Sequence, residues 1–261
     1  MKISTFTVDN IPLIKQGNDI ANIICQRIEV NEYDIIVIAS TIVSKAEGRI
    51  VHTDDIIPTP QALKIAKKTG ADEAMVQAVL DESTEVILES PIFLVRHTSG
   101  NICINGGVDK SNVEDGLLLL PSDPDECAKK LKEDIFRLTK KRVSVIITDT
   151  NGRAFREGQT GIALGAAGID THHDWRGSTD LFGHILEVAN EAVVDELAGF
   201  ANCLMGEGNW GTPVVVIRGL ELYSENDGMD AIFRSNDTDI IRKALLAYQE
   251  GNKGSLPANP G

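Results

Sequence analysis

The sequence predicts an α+β protein with mixed β-sheets and flanking helices. Three observations carry that prediction. Short apolar runs of strand length recur along the chain, as in Tyr33–Ser40, Val143–Ile147 and Pro213–Ile217. Segments of helical spacing with capping residues lie between some of them. Strands and helices nevertheless do not alternate strictly, as a doubly wound parallel sheet would require, and no internal repeat is present.

In chain order, residues 17 to 28 place Ile20, Ile23, Ile24 and Ile28 at helical spacing, with Asn18 or Asp19 as the cap. The run from Tyr33 to Ser40 reads as a buried strand that ends in polar residues, Ser40, Thr41, Ser44 and Lys45. Thr59 caps a helix over 59 to 69, with Pro60 in its first turn. A second helix is expected from Ala71 to Leu80, then a strand from Thr84 to Leu88. Phe93–Arg96 and Ile102–Ile104 flank His97-Thr98-Ser99-Gly100-Asn101 as a hairpin and its loop. Ile102–Ile104 then runs through Asn105-Gly106-Gly107-Val108 to Asp109. Ser122 or Asp123 caps a helix to about Thr139, with Pro124 in its first turn.

A strand from Val143 follows and ends on Asp149-Thr150, with a turn expected at Asn151-Gly152. Asn190 to Met205 reads as a helix stopped by Gly206, Pro213 to Ile217 as a strand, and Asp237 to Gln249 as a last amphipathic helix. Residues 1 to 249 are taken as one domain, with room for two interleaved lobes, and residues 250 to 261 as a flexible Gly/Pro-rich tail.

Composition narrows the function classes. The 261 residues are 42% hydrophobic and 25% charged, so a sizeable core is available. The formal net charge of -14 opposes docking on nucleic acid or an anionic membrane. An anionic ligand would have to be met by clustered Arg and Lys or by bound cations. The N-terminus lacks the apolar run of a signal segment, and no window has the apolar length to span a bilayer. Cys25, Cys103, Cys127 and Cys203 are widely spaced, with no CxxC pair. Reduced thiols in a cytoplasmic protein are the expectation.

The stretch VSVIITDTNGRAFREGQTGIALG, residues 143 to 165, organises the functional reading. A carboxylate at a strand end, a tight turn and the nearby guanidiniums of Arg153 and Arg156 can bring a metal and a phosphate together. A strand, turn and solvated loop is the plainer alternative, and the stretch alone leaves both open. Asp109 also ends an apolar run; were the two runs neighbouring strands, Asp109 and Asp149 would converge. Glu207, in a glycine loop, is a candidate third carboxylate. Oxygen-only donors suit Mg²⁺ or Mn²⁺ rather than zinc.

Other phosphate motifs fail. There is no G-x-x-x-x-G-K-[ST]. Gly206-Glu207-Gly208-Asn209-Trp210-Gly211 matches G-x-G-x-x-G, but between a helix and a strand, the reverse of the dinucleotide order. Lys45, Arg153, Arg156, Arg176, Arg218 and Arg234 are candidate anion binders, though any one of them is as well explained by solvated surface charge. His172 and His173 are adjacent and would face apart on a strand; His52, His97 and His184 are isolated. No Ser-His-Asp or Cys-His arrangement stands out.

INGGVDKSNV (104 to 113), ITDTNGRAFREGQTGIALGAAGI (147 to 169), DWRGSTDLFG (174 to 183), AVVDELAGFANCLMGEG (192 to 208) and PVVVIRG (213 to 219), in this order, resemble the coenzyme F(420)-0:L-glutamate ligases, the γ-glutamyl ligases that extend the tail of the deazaflavin coenzyme. IPLI (11 to 14) and ASTIVSKAEGR (39 to 49) fit as well, so the resemblance spans about residues 1 to 247 and is to the stand-alone, archaeal-type enzyme. It implies a fold particular to that family, an intertwined homodimer, and GTP-dependent amide ligation. The γ-phosphoryl group passes to a carboxylate of F(420)-0, the amine of L-glutamate attacks the acyl phosphate, and a further γ-linked glutamate follows. Two divalent cations, Mg²⁺ or Mn²⁺, and K⁺ are implied with it.

By the same resemblance, Asp109 and Asp149 match ligands of the first metal, and Thr150 and Glu207 those of the second. Ile11, Pro12, Leu13, Ile14, Ser40, Thr41, Lys45 and Asn112 match GTP contacts. So does the loop Met205, Gly206, Glu207, Gly208, Asn209, Trp210, Gly211 and Thr212. Asp109, Asp149 and Glu207 are thereby the expected catalytic carboxylates, and Arg153 and Arg156 are assigned to the anionic coenzyme tail. Asn151, Ala154 and Trp210 depart from the family pattern. Two other readings compete: a metal-dependent phosphatase or phosphotransferase of the haloacid-dehalogenase kind, for which Asn151 stands where the second aspartate belongs, and a GTP-binding protein without turnover.

Overall fold

The computed structural model describes residues 2 to 251. The N-terminal third comprises β1 (Ser4–Thr7), α1 (Ile20–Cys25), β2 (Ile35–Ala39), α2 (Ser40–Glu47), β3 (Ile50–Val51), α3 (Pro60–Thr69), α4 (Glu73–Asp81) and β4 (Ser83–Leu88). The middle comprises β5 (Leu94–His97), β6 (Ile102–Ile104), β7 (Leu117–Leu118), α5 (Pro124–Thr139), β8 (Ser144–Arg153) and β9 (Arg156–Ile169). The remainder comprises β10 (His173–Asp174), β11 (Asn190–Glu191), α6 (Val193–Met205), β12 (Val214–Arg218), β13 (Tyr223–Asp227) and α7 (Ile240–Gly251). Parallel and antiparallel pairings mix, as an α+β fold requires.

The chain forms two compact units, each assembled from two separated segments. Among the described residues, one unit holds 2–46 and 123–232, the other 47–122 and 233–251.

The first unit is built on a six-stranded sheet of order β1-β12-β2-β8-β9-β13. Only β2 and β8 run parallel; the other neighbours are antiparallel. Central strands covered on both faces need apolar residues at every position, which is why IIVIA and VIIT lack alternation. Ile36, Ile38, Val145, Ile147, Val214 and Val216 face Ala21 and Ile24 of α1 and Ala128, Leu131 and Ile135 of α5. By strand alternation, the buried Ile35, Val37, Ile146, Val215 and Ile217 face the other way. That side is covered by α6, which packs on β9, β8, β12 and β2 and buries Val194, Ala198 and Ala201. Asp34, fully buried at the start of β2, takes two hydrogen bonds from the Arg218 guanidinium at 2.7 and 2.8 Å.

The second unit holds the antiparallel sheet β4-β5-β6, the pair β3–β7, and α3, α4 and α7. Its core joins Ile65, Val76, Val79, Phe93, Val95, Leu117 and Leu119. On its surface Arg242 of α7 pairs with Glu85 of β4. His97, isolated in sequence, is buried with Nε2 3.5 Å from Glu82, and Glu82 also pairs with Arg49.

Local sequence explains most helix boundaries. The side chains of Asp19, Thr59, Asp72 and Asp123 accept the first free N–H groups of α1, α3, α4 and α5. Several boundaries differ from expectation. The helix read from Asn190 begins only at Val193, because Asn190 and Glu191 pair with Asp174 and His173 as β11. The polar residues after β2, Ser40, Thr41, Ser44 and Lys45, form a helix that the spacing does not predict: β2 passes directly into α2 at Ser40. Asn151-Gly152 does not turn: β8 runs on to Arg153, because Asn151 and Gly152 pair with Thr160 and Gln159 of β9. The reversal comes at Ala154-Phe155, where Phe155 adopts φ 65. The last helix continues through Gly251, so residues 250 and 251 are helical; the remainder of the expected tail lies outside the described residues.

The small residues after Gln159 are strand rather than loop, and their size is required by helix approach. A Cβ on Gly161 would lie 2.6 Å from the Ala198 carbonyl oxygen of α6. One on Gly165 would lie 2.3 Å from the Pro124 backbone of α5. On a regular strand these glycines, four apart, would share a face. They meet helices on opposite faces because Ile147 pairs with Gly165 and Thr148 with Ala163, leaving Leu164 as the extra residue of a β-bulge.

Candidate active site

One end of the six-stranded sheet collects most of the predicted site. Ala39 of β2 is in register with Thr148 of the parallel β8, so Ser40 and Asp149 leave that pair side by side. Antiparallel β12 starts at the same end: Val214 pairs with Ile38, and the Ala39 N–H donates to the Pro213 carbonyl at 2.9 Å. Beyond β12, Thr7 of β1 pairs with Val215, and the Val8 N–H donates to the Val214 carbonyl at 2.9 Å. The segments leaving or entering this end are therefore Ile11 to Ile14, Ser40-Thr41, Asp149-Thr150 and Met205 to Thr212.

Each segment has its own local basis. Ser40 opens α2, so free N–H groups and the positive end of the helix dipole lie beside Asp149. Lys45 lies in the last turn of α2, and burial pushes its ammonium below its ordinary range. The segment at 11 to 14 is anchored by buried Ile14, while Leu13 is 85% exposed. Thr148 is buried and its hydroxyl donates to the Ile162 carbonyl at 2.9 Å, with Asn202 Oδ1 of α6 at 3.3 Å. Asp149 and Thr150 follow, both half-buried. Alternation from Thr148 places Thr150 on the α6 face and Asp149 on the α5 face.

The loop after α6 is closed on itself. The Thr212 hydroxyl donates to the Met205 carbonyl at 3.0 Å. The Trp210 ring lies on Gly206, where a Cβ would come 2.6 Å from a ring carbon. Glu207, Gly208, Asn209 and Trp210 are exposed.

Asp109 and Asn112 belong to the other unit. The condition under which strand adjacency would bring Asp109 and Asp149 together is not met. The run before Asp109 is β6, in the three-stranded sheet, whereas Asp149 is on β8 of the six-stranded sheet. Asp109 bridges Leu118, and its Oδ1 accepts from the N–H groups of Lys110 at 2.6 Å and Ser111 at 3.0 Å. Its Oδ2 accepts from the Ser111 hydroxyl. The carboxylate is exposed and oriented by its own loop, and Asn112 beside it adopts φ 57.

The cationic candidates divide. Arg218 is committed to Asp34, and Arg176 chelates Asp174 of its own turn. Arg153 and Arg156 pair across the tip of the β8–β9 hairpin, about 13 Å along the strand from Asp149. His173 stacks on Trp175 at 4.0 Å, and His172 Nδ1 lies 3.0 Å from the Thr171 hydroxyl. None of the four cysteines is in a disulfide. Among the described residues no three His, Cys, Asp or Glu side chains form a metal-binding group, and no helix is long and apolar enough to cross a membrane.

Sequence reasoning missed Asp195 and Asn202. Both project from α6 onto the β8–β9 pair, Asp195 accepting from the Ala163 N–H at 2.9 Å. Burial pushes the Asp195 carboxyl up, and the Ala163 N–H offsets part of that shift. Only the packing of α6 on β9 reveals them, since neither falls in a recognisable spacing.

Hydroxyls, a carboxylate on β8, a helix N-terminus and a closed glycine loop are groups that can receive a phosphorylated ligand with hard cations. Comparison with known proteins gives the family. Residues 9–219 match the family model described as F420-0:Gamma-glutamyl ligase. The chain is 51% identical over 254 residues to the coenzyme F420:L-glutamate ligase of Methanosarcina acetivorans, covering 97% of this chain and 100% of that protein. It is 50% identical to the Archaeoglobus fulgidus enzyme of the same name, covering 94% and 98%. The Methanocaldococcus jannaschii enzyme is 44% identical, covering 89% and 94%. The chain belongs to the F420-0:γ-glutamyl ligase family.

Proposed function

We propose that this protein joins L-glutamate to coenzyme F(420)-0 with GTP as the activating co-substrate, then adds a further γ-linked glutamate, releasing GDP and phosphate each time. Two things support the reading: membership of the ligase family, and the meeting of four predicted segments at one end of the six-stranded sheet. A carboxylate is a poor electrophile and must be activated. One of its oxygens attacks the γ-phosphorus, the bond to the bridging oxygen breaks, and GDP departs. The glutamate amine then attacks the acyl phosphate carbon, phosphate leaves with the bonding pair, and the amine proton passes to solvent or a base.

In this reading Ser40, Thr41 and the N–H groups opening α2 bind phosphate oxygens. Ile11 to Ile14, Lys45 and Met205 to Thr212 complete the GTP contacts of this unit. Asp149 would hold one divalent cation, Thr150 and Glu207 the second; Asp109 and Asn112 belong to the other unit. The donors are all oxygen and few in number, which fits Mg²⁺ or Mn²⁺ keeping water and phosphate ligands. Such cations, with K⁺, offset the negative charge of the transferring phosphoryl group beside two anionic substrates. Arg153 and Arg156 hold the anionic coenzyme tail. A cytoplasmic homodimer belongs to the same proposal.

Exchanging nucleotides tests it. GTP should support phosphate release that depends on both L-glutamate and F(420)-0. Release without either acceptor would instead favour a phosphatase, and GTP binding with no release would favour a regulatory protein.

A further inference from the structure

We propose that Asp195 is a positioning residue for the reaction, fixing the β-bulge from which Asp149 and Thr150 project. The inference rests on the reading of those two residues as metal ligands. Three observations carry it. First, the bulge lies between the Ile147–Gly165 and Thr148–Ala163 pairs, so Asp149 and Thr150 are the next two residues beyond it. A bulge bends and twists its strand pair and thereby re-aims the side chains that follow. Second, the bulge inverts β9: Gly165 meets Pro124 of α5, whereas Gly161, register partner of Thr150, meets Ala198 of α6. A one-residue slip of β9 would put a side chain where α6 leaves room only for glycine. Third, the register is held by α6 rather than by the sheet alone. The Asp195 carboxylate takes the Ala163 N–H at 2.9 Å, and Asn202 lies 3.3 Å from the Thr148 hydroxyl.

The helix that holds the bulge also ends at Met205, two residues before Glu207. One rigid element thus sets both the direction of Asp149-Thr150 and the origin of the Glu207 loop. Asp195 acts on the bulge through its hydrogen bond from the Ala163 N–H, its interaction with His172 being one of charge only, so an amide oxygen at that position would hold the bulge as well as a carboxylate.

Asp195→Ala and Asp195→Asn are compared with the native protein. Asp125→Ala serves as a control, since Asp125 also accepts a β9 N–H, that of Ala166 at 3.1 Å, on the other side of the bulge. Asp195→Ala should lower kcat at least tenfold, weaken Mn²⁺ binding at least fivefold, and speed amide hydrogen exchange over residues 147–151. Asp195→Asn should restore all three to within about twofold. Asp125→Ala should lower Tm but leave Mn²⁺ affinity and the exchange of 147–151 unchanged. Native exchange at 147–151 and native kcat in Asp195→Ala would overturn the proposal. So would a loss of kcat and Mn²⁺ affinity in Asp125→Ala that merely tracks Tm as in Asp195→Ala. If the native protein binds no Mn²⁺, the metal assignment falls instead, and the exchange and kcat comparisons still decide the role of Asp195.

Discussion

Ala39 and Thr148 are register partners across the parallel pair β2–β8; the next residue of β2, Ser40, leaves the sheet there, while Asp149 continues along β8 beside it, paired only with β9. Ser40 therefore opens α2 beside Asp149. A hydroxyl and helix N–H groups from one strand meet a carboxylate from the other, so phosphate and cation can be handled by adjacent backbones.

Replacing Asp149 should disable turnover while leaving the fold intact. It is half-buried and lies beyond the apolar part of β8, so Asp149→Asn should shift Tm by no more than a few degrees. Turnover should fall on the order of 100-fold or more, as for loss of a preorganised electrostatic group. Steady-state kinetics with thermal melts checks both. Near-native turnover with unchanged metal dependence would remove Asp149 from the metal site.

Glycines 161 and 165 should resist substitution for steric reasons. Gly165→Ala forces a Cβ to 2.3 Å from the Pro124 backbone, and Gly161→Ala one to 2.6 Å from the Ala198 carbonyl. Each should cost roughly 1–3 kcal/mol as overpacking, since backbone must move in both, with Gly165→Ala the worse because its approach is the closer. Gly152→Ala, with nothing within 4 Å, should be close to neutral. Chemical denaturation of the three variants measures the order.

How much could be read beforehand depended on whether the signal was local. Thr59 with Pro60, and Asp123 with Pro124, announced helix starts because a side-chain cap and a fixed φ act within one turn. The β5–β6 hairpin was legible for the same reason. The start of α2 was not: Ser40 follows β2 without a loop, and the β-branched residues of STIVSKAE suit a strand as well. Asn151-Gly152 carries a strong turn signal, yet long-range pairing with Thr160 and Gln159 prevails. Strand order is wholly non-local, so the adjacency imagined for the runs before Asp109 and Asp149 failed.

The pair of Asp34 and Arg218 should matter for stability rather than for anion binding. Asp34 is fully buried, and Arg218→Met removes its charged partner. Leaving that carboxylate unpaired should cost about 3–5 kcal/mol. Equilibrium denaturation at neutral pH tests this.

Acid titration should find Asp174 unusually acidic. Hydrogen bonds from the Arg176 guanidinium, and then from its backbone N–H, bring the carboxyl down to about 2. A depressed carboxylate contributes stability above its unfolded pKa, near 3.9. That contribution is lost as pH falls from there through about 2. Carboxyl carbon shifts should report the low midpoint, and Arg176→Ala should raise it towards the ordinary aspartate range.

The central claim is amide ligation at the sheet end where Ser40, Asp149 and Glu207 are gathered. Its most direct test is product mass after incubation of the protein with GTP, Mn²⁺, L-glutamate and F(420)-0. A coenzyme heavier by one glutamyl unit, then by a second, with phosphate released in step and neither product formed in chelator, is the predicted result. Phosphate release with the coenzyme mass unchanged, or glutamylation that proceeds equally well in chelator, would contradict it.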